Sequence, residues 1–323
     1  MSAPAATLPR VAWRRDPSLV AALVSVVVLS MVVLAPRAVP VAAPPPTTLV
    51  VADLRGQAIV LVDPTDPLGA RTIPLPGGPH EMVMLPSGRL VVSLEQYGTL
   101  ALVDLDRREV RSLPVGGVPH GLAVGGDTLY VTDRSVNAIR RFALGTWEER
   151  ASIPVGAWPH IVAVLPDGRL AAANAADDTL TLGDRAMSVS HVPESIAVGP
   201  DGRIATAGSV GGTLHVLDAS GSPMAQYAIG GRPVRLLYAP RSDVLAVALS
   251  ADASVALLVR DEVRRVAVGG VPDGLAFSGD GRWLYVSDVA GGMVSVVDVQ
   301  RLRVVDRFHA AQTAGALLVL PRA

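Results

Sequence analysis

The chain has 323 residues, half of them hydrophobic and 18% charged, with 28 basic and 29 acidic side chains and a net charge of −1. Such a composition supports a sizeable core and is not that of a disordered protein. The near-zero charge and only 4% aromatic residues argue against a surface built to neutralise phosphates or to stack single-stranded bases, so no nucleic-acid partner is expected. Cysteine is absent, which removes disulfides, thiolate metal sites and a cysteine nucleophile.

The first element in the chain is apolar. Leu19 to Ala35 reads LVAALVSVVVLSMVVLA without a charge, at the short end of the roughly 17–25 residues of a spanning helix. Arg10, Arg14 and Arg15 precede it and only Arg37 follows closely, so the positive-inside rule places the N-terminus in the cytoplasm. The expected organisation is a basic cytoplasmic segment at 1–17, a transmembrane signal-anchor at 18–35, a proline-rich linker at 36–47 and one domain at 48–323. That domain then faces the periplasm or the exterior, with the membrane as its first partner. The alternative is a cleaved signal peptide and a secreted domain. A small-x-small site stands at Val41-Ala42-Ala43, but a proline follows it, and the apolar run exceeds the usual h-region of about 7–15 residues.

From residue 48 onward one unit of about forty residues recurs. A proline after a glycine-rich turn marks each copy, at Pro79, Pro119, Pro159, Pro193, Pro233 and Pro272, with spacings of 40, 40, 34, 40 and 39. A seventh copy, Thr313-Ala314-Gly315, lacks the proline. Each copy carries four short β-runs, and Gly-Asp or Asp-Gly pairs (Gly126-Asp127, Asp167-Gly168, Asp201-Gly202, Asp280-Gly281) separate the first two. The chain enters on the second run of a blade, Leu49 to Asp53, and ends on a first run, Ala316 to Leu320. The last strand therefore completes the blade that the first strands begin, which removes free edges. The fold class is all-β, a seven-bladed β-propeller with an N-terminal transmembrane helix. The short fourth interval predicts a blade that has lost most of its outer strand around Met187 to Ser190.

The second runs read Leu-Tyr-Val-Thr-Asp (129–133), Leu-Ala-Ala-Ala-Asn (170–174) and Leu-Tyr-Val-Ser-Asp (284–288). With Ile-Pro-Val-Gly and Pro-Asp-Gly beside them, residues 48–323 resemble the YVTN-repeat, YncE-like β-propellers. The motif's final asparagine survives at Asn174, and Asp53, Asp133 and Asp288 replace it in three other blades. The resemblance implies a secreted or periplasmic propeller. Related seven-bladed propellers include sugar lactonases and streptogramin lyases.

The residue after each anchoring proline opens an innermost strand, so these residues should ring one end of the central channel. They are His80, His120, His160, Glu194, Val234 and Asp273, with Gly315 in the seventh place. Asp53, Asp133, Asn174 and Asp288 are expected in loops at the same end, where a rigid scaffold tends to hold its sites. Three imidazoles on adjacent blades, His80, His120 and His160, form a candidate ligand set for zinc, iron or manganese, with Glu194 or Asp273 as further ligand or general base. A structural role in the turn is the competing reading for each histidine. His191, His215 and His309 are read as structural. The irregular ring favours a module that binds a small molecule or a protein over an enzyme, and a divalent metal is the one cofactor it suggests. The alternative is a metal-dependent lactonase- or lyase-like enzyme acting at the channel mouth.

Overall fold

The structure, a computed structural model, describes residues 44–320. The expected anchor at 18–35 lies outside the described residues, and among those described no helix is long and apolar enough to cross a membrane.

Seven four-stranded antiparallel sheets follow one another along the chain. Blade 1 combines Ala314–Val319 with Leu49–Asp53, Ala58–Asp63 and Asp66–Pro74. The inner strands of blades 2 to 7 are Met82–Met84, Pro119–Gly125, Pro159–Val164, Pro193–Val198, Pro233–Tyr238 and Pro272–Phe277. Ring closure is as the sequence predicts: Leu49 pairs with Val319 and Val51 with Leu317. Blade 4 departs from expectation in one detail. Its outer strand survives as Arg185–Ser188, paired with Thr179–Leu182, so the six missing residues shorten the outer hairpin without deleting it.

The strands form because small and branched residues alternate on surfaces that face a neighbouring blade on both sides. Val50, Ile59, Leu90 and Val92 are fully buried in the layer joining blades 1 and 2, and Leu245, Val247, Ala205 and Leu214 fill that between blades 5 and 6. Each such leucine or valine contributes roughly 1.5–3 kcal/mol by leaving water. The Asp-Gly pairs make hairpin turns. In the turn from Leu165 to Gly168 the glycine amide donates to the Leu165 carbonyl, and Gly168 takes a φ of 85°, which a side chain tolerates poorly.

The hydroxyl in the second run has a defined task. Thr132 Oγ1 accepts the Gly121 amide at 2.7 Å and donates to the His160 carbonyl of the next blade at 3.1 Å. Ser287 Oγ repeats this between Gly274 and Gly315. These bonds satisfy backbone groups left over where the inner strand shifts register after its proline. They also draw neighbouring inner strands so close that a Cβ on Gly121 would lie 2.6 Å from the His160 carbonyl.

Candidate functional site at the channel mouth

Two register positions in the repeat supply the mouth. The first is the residue after the anchoring proline. His80, His120, His160, Glu194, Val234, Asp273 and Gly315 all line one cavity of about 390 Å³. The sequence therefore places this ring correctly in space. The three imidazoles form a row, with ring centroids 5.0 Å apart for His80 and His120 and 4.3 Å for His120 and His160.

The second position is the first residue of the loop joining second and third runs. Each of these loops has four residues and ends on a left-handed residue: Gln57, Gly98, Asn137, Asp178, Gly212, Ala253 and Gly292. The loops open with Leu54, Glu95, Arg134, Ala175, Ser209, Ser250 and Val289. Leu54, Arg134, Ser250 and Val289 line the cavity, and Glu95 and Ser209 bond to first-ring residues. The motif's last residue, one position earlier, points elsewhere. Asp133 Oδ1 accepts the amides of Val118 and Ser135. Asp288 Oδ1 accepts those of Val271 and Ala290. Asp53 takes Gly56, Gln312 and Thr313. Asn174 donates to Thr179 and Thr181. None of these four lines the cavity. Their polar atoms fasten the loops, because a one-residue step along a strand end reverses the direction of the side chain.

Glu95 is the hub that motif reading misses. One of its oxygens, Oε2, lies 3.4 Å from His80 Nε2 and 3.1 Å from His120 Nδ1; the other accepts Arg134 Nη1 at 2.6 Å. The Arg134 guanidinium also stands 5.7 Å from the centre of the exposed Trp158 ring. Burial pushes both His120 and His160 well below the ordinary imidazole range, and the Arg134 cation pushes in the same direction. His120 is therefore neutral at pH 7. With Nδ1 donating to Glu95, its Nε2 is an acceptor, and it is buried without a partner, as is His160 Nδ1.

Deeper in the channel Glu81 of blade 2 and Arg235 of blade 6 meet through two hydrogen bonds of 2.7 and 2.9 Å. Both residues stand one place after the first ring, so they share a register. Burial alone would raise the Glu81 pKa, but the Arg235 guanidinium outweighs it and holds the carboxyl below its ordinary value. Asp273 has no such bonds. Burial raises its pKa, and Arg235 only partly offsets this.

His80, Glu95 and His120 offer one ligand atom each within 4.8 Å of one another. Tetrahedral zinc with bonds near 2.0–2.1 Å sets its ligand atoms about 3.3 Å apart, so the two separations through Glu95 fit. His160, expected as the third ligand, lies outside this group.

The sequence matches no family model, and no curated protein matches it. Many solved structures share the fold. A streptogramin B lyase superposes with a TM-score of 0.68 at 12% identity over 74% of this chain and 86% of its own. A candidate 6-phosphogluconolactonase of Bacteroides fragilis gives 0.71 at 14% identity over 87% and 100%. A catalytically inactive histidine-to-alanine virginiamycin B lyase of Staphylococcus aureus, solved with quinupristin, gives 0.64 at 12% identity over 82% and 88%. At such identities the likeness establishes the seven-bladed propeller and nothing finer.

Proposed function

We propose that this chain is a membrane-anchored, extracytoplasmic propeller of YVTN type that binds a small polar ligand in the channel mouth. The apolar run at 19–35 supports the anchorage, and the repeated second-run motif supports the family. One observation carries the site: His120 Nε2 and His160 Nδ1 are buried without partners among residues lining a 390 Å³ cavity. A buried polar atom left unpaired costs about 1–3 kcal/mol, and a ligand that hydrogen-bonds to both recovers that cost. The three arginines lining the cavity, Arg134, Arg232 and Arg235, are matched by three carboxylates, Glu81, Glu194 and Asp273, and Arg134 and Arg235 already hold carboxylates, so the cavity favours an uncharged ligand with hydrogen-bond donors over a phosphate. The test is a thermal-shift screen of neutral sugars, lactones and amides. A ligand at a hundredfold its Kd should add about 2.7 kcal/mol, and the gain should vanish in His120→Gln and His160→Gln. A screen without any shift sensitive to these two substitutions rejects the reading.

A second reading rests on His80, Glu95 and His120, which would hold a divalent metal with an open position, as catalytic sites do. The metal would supply Lewis acidity towards a carbonyl, as lactonase or lyase chemistry needs, and neutral His120 is in the state that ligation requires. Elemental analysis after dialysis against zinc, iron or manganese decides it. Near one equivalent, lost in His80→Ala and His120→Ala, supports the metal; no retained metal removes this reading and leaves the first intact.

A further inference from the structure

Two cavities lie along the channel. Glu81, Arg235 and Ala316 border both the mouth cavity and a second one of about 400 Å³ on the other side. The Glu81–Arg235 pair thus spans the channel between blades 2 and 6 as a partition. Below it the lining side chains are mostly apolar, although the exposed surface as a whole is about as polar as that of the mouth. All seven inner strands contribute, and Met82, Leu122, Ile161, Leu237, Phe277 and Leu318 are among the lining residues. Glu81 and Arg235 are the only charged residues there, and each neutralises the other through both its oxygens or nitrogens. The Tyr238 phenol, raised by burial to about 12, is uncharged at any physiological pH.

We propose that this lower chamber is a second binding site, for an uncharged apolar small molecule that carries one hydrogen-bond acceptor. Its volume falls within the roughly 300–1,000 Å³ of small-molecule pockets, which are mostly apolar with few polar groups. It exceeds the roughly 150 Å³ apolar cavity that binds benzene. The acceptor is specified by two donors. Arg235, which borders both cavities, has its Nε buried and without a partner. Ser195 Oγ, also in the lining, accepts the Leu236 amide at 3.0 Å, and its own proton makes no hydrogen bond among the described residues. A charged ligand would meet no free counter-charge and would lose its hydration. The site does not depend on the mouth histidines, so its failure and that of the mouth reading are separable.

The experiment is a fluorescence titration of the full chain with 6-propionyl-2-dimethylaminonaphthalene, a neutral naphthalene bearing one carbonyl. Saturable one-site binding with a blue-shifted emission is expected. Ile161→Trp and Leu237→Trp, which fill the chamber from blades 4 and 6, should each weaken binding at least tenfold, while His120→Gln leaves it unchanged. Circular dichroism melts identify a variant that does not fold, and the other then carries the test. The analogue without the propionyl carbonyl should bind at least tenfold more weakly; equal affinity overturns the acceptor requirement. Absence of saturable binding, or binding indifferent to the folded chamber-filling variants, overturns the site.

Discussion

Blades 2 to 4 and blades 5 to 7 are built on one repeat, yet they treat charge differently at the mouth. On the first side His80, Glu95, His120 and Arg134 are joined through one carboxylate, with Trp158 and His160 packed against them. On the second side Glu194 is satisfied by Ser209 alone, Asp273 has no hydrogen bond among the described residues, and Arg235 reaches across to blade 2. Pseudo-symmetry thus supplies equivalent positions, and single residues at two registers decide the chemistry. The first side is a connected network. The second is a set of separate groups, one of which is costly to keep ionised.

The Glu81–Arg235 pair is the only direct ion pair between the two sides among the described residues, and breaking it should have the largest effect. Arg235→Met leaves Glu81 buried beside Asp273 with no cation. The expected loss is about 3–5 kcal/mol of stability, the usual cost of orphaning a buried charge. Glu81→Leu combined with Arg235→Met should recover most of it, because a hydrophobic replacement of the whole pair is often neutral. Urea denaturation of the single and double variants measures both. A single-variant loss below about 1 kcal/mol would mean that the pair is well solvated and is no partition.

The network side should announce itself through pH. Burial, with Arg134 adding to it, lowers the folded pKa of both His120 and His160. As pH falls below the ordinary imidazole value of about 6.5 the unfolded chain takes up these protons first, so stability declines. The slope is up to about 1.4 kcal/mol per pH unit for each imidazole, until the folded pKa is reached. Burial lowers His215 in the same direction, so the decisive quantity is the change on substitution. Denaturation midpoints at pH 7.5, 6.5 and 5.5 should show a shallower decline in His120→Gln/His160→Gln. An unchanged slope would show that these imidazoles are not held neutral. The Glu81 contribution is lost only in more acid solution, below about 4.5, and does not overlap this window.

These features were unequally legible in the sequence. The prolines from Pro79 to Pro272 and the Asp-Gly pairs fix the blade count because turn chemistry is local and recurs. The same period brings His80, His120, His160, Glu194 and Asp273 into one ring. Glu95 and Arg134 escaped because the motif's last letter drew attention to Asp133, whereas the following residue turns to the channel. Glu81 and Arg235 stand at one register with opposite charges, which is a readable signal. That they meet, 154 residues apart, emerges only once the ring is closed and blades 2 and 6 face each other. The lower chamber left no trace at all, since its volume depends on how seven inner strands pack.

The unconnected side yields the smallest effect and the plainest sign. Asp273 is buried, and its folded pKa lies above the usual 3.8 because desolvation outweighs the attraction of Arg235. A group raised in this way favours the folded state only below the unfolded pKa, and that contribution is lost as pH rises through the folded value. Once ionised, Asp273 therefore opposes folding, and Asp273→Asn should raise the urea midpoint at neutral pH. Below about pH 3.8, where the aspartate is protonated in both states, the two proteins should unfold at the same midpoint. If Asp273→Asn instead destabilises at neutral pH, the carboxylate is an unrecognised partner of Arg235, and the second side of the mouth is as tightly connected as the first.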